Sequence, residues 1–242
     1  MILTPKDISA FVYCPYFKYT NKINGKFEIK FTLFEQCVIN SIKLTEKHCL
    51  LHNSDISTRK ILTRWDNIWW PSVSNNNINF KTAEEKSIKA SMIFNDYCKY
   101  DISGYLYPTA GIDIESEINI GRSIIKTNAD IIKVNLNLSQ KNINLIGFGN
   151  TIKSTKEIIL DPAIRTLLYS FSETGAKTLV YTYIYIKEDK EKILVTSSVL
   201  RQDDIEEIKN TLTYIEKGIS NKVRYMNLHN CKECKQCQNL KL

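Results

Sequence analysis

Three stretches decide the fold: GIDIESEINI (residues 111–120), SIIKTNADIIKVNLNL (123–138) and NINLIGFGNTI (142–152). Each alternates apolar with polar residues and is rich in Ile and Val, the pattern of strands that pack at least one face. The polar break Ser139–Gln140–Lys141–Asn142 between the second and third suits a hairpin. Downstream, Asp161–Pro162 opens a helix whose Ile164, Leu167, Leu168 and Phe171 share a face, ended near Gly175. Two further strands, Thr178–Lys187 and Lys192–Val199, flank the charged turn EDKEK, and a last helix, Asp203–Lys217, stops at Gly218.

Upstream the texture is helical. Thr4, Pro5 and Asp7 form a helix start: a capping hydroxyl, a proline at the first helical position and a carboxylate near free backbone donors. Phe27–Phe34 alternates like an extended segment. Glu35–Leu51 reads as helix with Cys37, Val38, Ile42 and Leu44 inward. RKILTRWDNIWW (59–70) spaces Ile61, Leu62, Trp65, Ile68 and Trp69 helically, a stripe read as core rather than as a base-stacking surface. After SNNN (74–77), a helix over Lys81–Tyr100 carries the stripe Ile88, Met92 and Tyr97. The order predicts one domain, 1–242, with a mixed α/β core and a helical insert at about 55–105.

Composition bounds the function. Hydrophobic content of 43% and charged content of 24% are those of globular proteins, and no apolar run reaches the roughly 18 to 20 residues that span a bilayer. Met1–Lys6 lacks the pattern of a signal peptide, so the expected setting is intracellular and reducing. A net charge of +7 favours polyanionic partners such as DNA, or is the mark of a lysine-rich solubilising surface.

Seven cysteines, an odd number, argue against a disulfide framework. Cys37, Cys49 and Cys98 fall in apolar helix and read as buried thiols. CKECKQC is different: Cys231, Cys234 and Cys237 at C-x2-C-x2-C converge on one centre and need a fourth ligand, for which Cys14 beside Pro15 is the candidate. The readings are an iron–sulfur cluster on Cys14, Cys231, Cys234 and Cys237, a structural zinc on the same residues or with His229, or a metal-free tail. His48 and His52 share a helical face, but HCLLH lacks the glutamate of a metallopeptidase.

LTPKDISAFVYCPYFKY (3–19), with one cysteine near the amino end and three at the carboxyl end, resembles the AddB-like and CRISPR-associated RecB-like nucleases of the PD-(D/E)XK superfamily. The last interval, Lys235–Gln236, is shorter than that family's usual one. The resemblance implies a restriction-endonuclease-like mixed sheet flanked by helices, a 4Fe–4S cluster on the four cysteines, and a Mg or Mn site that cleaves DNA. It assigns Asp130 as the first metal-binding aspartate, at the start of a hairpin arm. In the second arm the family has an acid, one residue and a lysine; here Gly147–Phe148–Gly149–Asn150–Thr151 stands opposite. Lys153 supplies the lysine if the register slips, Tyr169 matches a helical tyrosine with Arg165 in place of the family's glutamine, and Cys37 stands where the family has a histidine. Glu115 and Glu117 share a strand face; Glu117 is the candidate second metal ligand, and a solvated strand edge is the alternative.

Three functions are therefore expected to compete. The first is a nuclease-fold protein with a degraded site, binding single-stranded or end-containing DNA or organising a protein complex. The second is an active nuclease using Asp130, a strand glutamate and Lys153. The third is a metal-stabilised interaction module.

Overall fold

A hairpin with a two-residue loop starts the sheet. The computed structural model describes residues 1–13, 29–100, 108–135, 141–190, 192–200 and 202–222. Strand β2 (Thr109–Ile120) pairs antiparallel with β3 (Ser123–Asn135) from Ile120 opposite Ser123 to Thr109 opposite Lys133. The loop glycine, Gly121, sits at φ 58°, a conformation that costs glycine nothing and suits the strand twist. β3 returns into β4 (Asn142–Gly149), which runs parallel to β5 (Thr178–Tyr185), and β5 is antiparallel to β6 (Leu194–Leu200). A two-residue β1 (Ile2–Leu3) adds in parallel to β3 at Ile124 and Ile125. The six-stranded mixed sheet has the order β1-β3-β4-β5-β6, with β2 on β3.

β3 thus serves two neighbours on one edge. β1 holds its beginning, β4 holds its end, and the last registered pair with β4 is Ile131 opposite Ile146. Between these contacts the sheet forks.

Helices α1 (Pro5–Tyr13), α2 (Leu33–His52), α3 (Thr58–Asn75) and α4 (Phe80–Tyr100) precede the hairpin. α5 (Thr155–Leu160) and α6 (Pro162–Ser172) make the β4–β5 crossover, and α7 (Gln202–Ser220) closes the described chain. The expected extended segment before α2 ends early. Thr32 and Glu35 form a reciprocal capping box, with Glu35 N–H donating to Thr32 Oγ1 at 3.2 Å and Thr32 N–H to Glu35 Oε2 at 2.9 Å, so helix begins at Leu33. The same device at Ser154 and Glu157 starts α5, which the strand reading of this region passed over.

Three cores follow. Between α2, α3, α4 and the sheet, Trp65 and Trp69 stack at 4.8 Å with Phe34 and Phe94 edge-on, and their indoles donate to Ser87 Oγ and the Ala83 carbonyl. They are core, as their spacing predicts. The α4 stripe is a correction: Ile88 and Met92 are 59% and 43% exposed, and the inward face is Ala83, Ala90, Ile93, Phe94 and Tyr97. Small Ala83 and Ala90 let α4 approach α3 closely, and that contact outweighs hydrophobicity in choosing the face. Leu44 of α2 is likewise exposed, while Cys37, Val38, Ile42, Cys49 and Cys98 are buried. The second core lies under α5 and α6, and the third joins α1 and α7 to the hairpin.

Two buried acids link helices to the sheet. Glu46 of α2 meets Lys133 of β3 at 2.8 Å, both almost without solvent contact, and accepts from Tyr97 Oη at 2.6 Å and from the Thr109 hydroxyl. Glu216 of α7 accepts from Ser220 Oγ at 2.7 Å and Ser123 Oγ at 2.9 Å, clamping α7 on the hairpin turn. Hydrogen bonds from Ser220, then from Ser123 and the Arg122 backbone, overcome burial and hold its carboxyl below the ordinary 4.5.

Glu46→Gln removes the carboxylate that Lys133 meets in the core and is expected to cost about 3–5 kcal/mol in urea unfolding. Glu46→Met with Lys133→Met is expected to cost much less, since no uncompensated charge remains. The Glu216 contribution is full above pH 4.5 and lost as pH falls through its depressed folded value. Glu216→Gln should therefore flatten the acid limb of a stability-against-pH curve; an unchanged limb refutes this assignment.

Candidate functional site

The fork of the sheet opens into a groove of about 1100 Å³. One wall is β3 at Lys126, Thr127 and Asn128; the other is the end of β4 with Asn150 and Thr151. Lys6 and Ser9 of α1, Lys30, and the Lys153–Asp161 segment complete the rim. Four lysines, Lys6, Lys30, Lys126 and Lys153, face two carboxylates, Glu115 and Asp161, across this space. The groove is cationic and suits a polyanion.

Asp130 stands at the closed end of the fork, immediately before the β3–β4 ladder. Its carboxylate accepts from Lys43 of α2 at 2.5 Å, and the same ammonium donates to Asp113 of β2 at 2.6 Å. Asp113 lies between the registered pairs Ile112–Ile131 and Ile114–Ala129, beside Asp130 on the next strand. Its φ of 50° is left-handed, which aspartate tolerates better than most side chains. Here the hairpin also changes face. Ile125 and Ala129 of β3 pack toward α1, α6 and α7, whereas Ile131 and Lys133 pack toward α2. Partial burial opposes the charge on Lys43, but Asp130 and Asp113 outweigh it and hold the pKa above the ordinary lysine value.

The other expected residues are dispersed. Glu117 pairs with Lys126 at 2.7 Å, four residues along β3 from Asp130; Glu115 is the strand carboxylate at the groove. Lys153 is bonded to Asp161 at 2.5 Å, 5.5 Å from the centroid of the Tyr183 ring. Tyr169 is buried in the third core, where burial and then Glu173 and Glu206 raise its pKa, and Arg165 pairs with Glu207. The His48 and His52 rings lie 4.3 Å apart, tilted by 41°. Among the described residues no three His, Cys, Asp or Glu side chains converge as a metal site. Cys14, Cys231, Cys234, Cys237 and His229 lie outside the described residues.

β4 carries the feature that sequence reading left unexplained. Gly147 and Gly149 are roofed by Tyr181 and Tyr183 of β5, and a Cβ on either glycine would fall within the van der Waals envelope of a phenol oxygen. Tyr183 Oη donates to the Thr151 carbonyl at 2.8 Å. Tyr181 is fully buried; that burial, then the nearby Asp130 and Asp161, push its pKa far above the ordinary phenol value, so it stays neutral. Small residues at 147 and 149 against large ones at 181 and 183, both with a period of two, were the available signal.

A six-stranded mixed sheet, forked over a lysine-lined groove and covered by helices, defines a mixed α/β fold. Among solved structures it is similar to a "putative exonuclease" from Eubacterium rectale, with a TM-score of 0.53 and 12% identity over 100% of this chain and 88% of that chain. A second structure, SSO0001, aligns over 88% of this chain and 96% of that chain at 13% identity, with a TM-score of 0.33 that carries no argument. Neither a family model nor a curated protein matches the sequence. No helix among the described residues is long and apolar enough to cross a membrane.

Gly147→Ala and Gly149→Ala are each expected to destabilise the fold by about 1–3 kcal/mol, because β4 or the tyrosine must move. Tyr181→Ala in the Gly147→Ala background should show a favourable coupling in a double-mutant cycle; simple additivity would refute the packing described.

Proposed function

We propose that this chain is a nuclease-fold protein whose cleavage machinery has decayed, acting as a DNA-binding or complex-organising subunit in DNA processing. The observation that carries the reading is the pair Gly147 and Gly149 under Tyr181 and Tyr183. Cleavage by metal needs carboxylates free to hold the cation and a base or lysine to prepare water; the β4 side of the fork supplies neither, and the Asp113–Asp130 pair across from it is occupied by Lys43. The lysine-rimmed groove remains, and its charge and open side suit single-stranded or end-containing DNA.

The reading includes a 4Fe–4S cluster on Cys14, Cys231, Cys234 and Cys237, with structural zinc as the alternative. Its support is the meeting of the two helices that lead to these residues. The Phe11 ring packs on Gly218, so α1 and α7 touch two residues before each ends. Cys14 follows α1 directly, and the nine residues from Lys222 to Cys231 reach roughly 30 Å if extended, ample to return to it. When bound, such a centre would fasten the chain ends and contribute folding free energy.

Expected results are binding of a fluorescent single strand that weakens with salt, with a log–log slope of about −0.7 for each lysine meeting a phosphate. Lys6→Ala or Lys30→Ala should each reduce the slope by about that amount. No cutting is expected with Mg or Mn. Metal-dependent cleavage that is lost in Asp130→Asn would overturn the proposal in favour of an active nuclease. Absent or salt-insensitive binding would favour an interaction module without a nucleic-acid role. Anaerobically purified protein should absorb broadly near ~400 nm and lose that band in Cys14→Ser; a colourless protein with stoichiometric zinc selects the alternative.

A further inference from the structure

We infer that the Lys43 ammonium is a built-in substitute for a divalent cation, fixed between Asp113 and Asp130, and that it excludes such an ion from the closed end of the fork between β3 and β4. The inference deepens the proposed function by naming what neutralises the surviving carboxylates.

The geometry is that of a cation with two oxygen ligands. Nζ lies 2.6 Å from Asp113 Oδ1 and 2.5 Å from Asp130 Oδ1, two side chains on neighbouring strands that meet at one point. Mg²⁺ or Mn²⁺ would need the same oxygens at about 2.0–2.1 Å, in the volume that Nζ fills. An ammonium and a divalent ion cannot share one carboxylate pair without strong mutual repulsion. Displacement is opposed as well, since the Lys43 side chain is only 17% exposed and its stem leaves the middle of α2. The carboxylates themselves are 53% and 35% exposed, so water has access to a ligand pair from which the lysine has been removed.

Asp113 adds a second, independent feature. A left-handed aspartate inside a strand is uncommon, and here it turns the carboxylate toward Asp130 where β2 and β3 change face. The carboxylate pair beside the groove is thus neutralised by the chain itself, so binding of nucleic acid there does not require Mg²⁺.

The test titrates Mn²⁺ alone, read by electron paramagnetic resonance, against the full chain and its variants. Lys43→Met keeps the aliphatic stem and helix propensity while removing the charge. It is expected to bind one Mn²⁺ at least about tenfold more tightly than the unaltered chain, because the competing charge is gone. That binding should vanish when Asp130→Asn is added, and Lys43→Arg, which keeps a cation in place, should not acquire it. Lys43→Gln answers the same question if the methionine variant fails to fold by circular dichroism. Mn²⁺ binding by the unaltered chain that depends on Asp113 and Asp130 would overturn the inference, as would a folded Lys43→Met or Lys43→Gln chain that binds none. Single-strand binding by the unaltered chain should be equal with and without added Mg²⁺. DNA binding that requires added Mg²⁺ sinks this inference alone, whereas the expected Mn²⁺ behaviour without any DNA binding upholds it and sinks the proposed function.

Discussion

Helix α2 is held on the sheet by two ion pairs of opposite sense. Lys43 meets Asp130, and one turn further along the helix Glu46 meets Lys133, three residues further along β3. Shifting the helix against the strand would bring Lys43 toward Lys133 or Glu46 toward Asp130, and like charges with little water around them repel strongly. A buried pair such as Glu46 with Lys133 adds little net stability over an apolar pair of the same size. What it supplies here is register, and the register of α2 decides which groups stand at the end of the groove.

The groove is a consequence of pairing geometry along β3. The strand is bonded to β1 at Ile124 and Ile125 and to β4 from Ile131 onward, which leaves a gap between those contacts on one edge. The face change at Asp113 and Asp130 falls where that gap closes. Such an opening presents side chains from two diverging strands to one ligand, and here it is lined with lysines from α1, the segment before α2, β3 and the start of the β4–β5 crossover. Along the gap, glycine under tyrosine at two alternate positions of β4 makes a tight layer.

Much of this was legible in the residues. Alternating Ile and Val placed β2, β3 and β4, the Asp161–Pro162 start placed α6, and the spacing of Trp65 and Trp69 put them in the core. The absence of an acid or amine between 147 and 151 was visible without coordinates. Other features were legible and misread or passed over: the Thr32–Glu35 capping box outweighs local alternation, the Ser154–Glu157 box starts a helix in a stretch given no element, and the buried face of α4 carries Ala83 and Ala90 although Ile88 and Met92 are more hydrophobic.

By itself, then, the sequence determined the classes of element, their order and the poverty of β4 in catalytic groups, because these depend on periodicity, caps and residue identity within short windows. Only the tertiary structure decided that Lys43, Asp113 and Asp130 converge, that Tyr181 and Tyr183 fill the space over Gly147 and Gly149, and that Glu115 rather than Glu117 borders the groove. Those facts depend on where a helix lands on a sheet and where two strands part. Long-range packing and charge register settle both, and no window of sequence contains them.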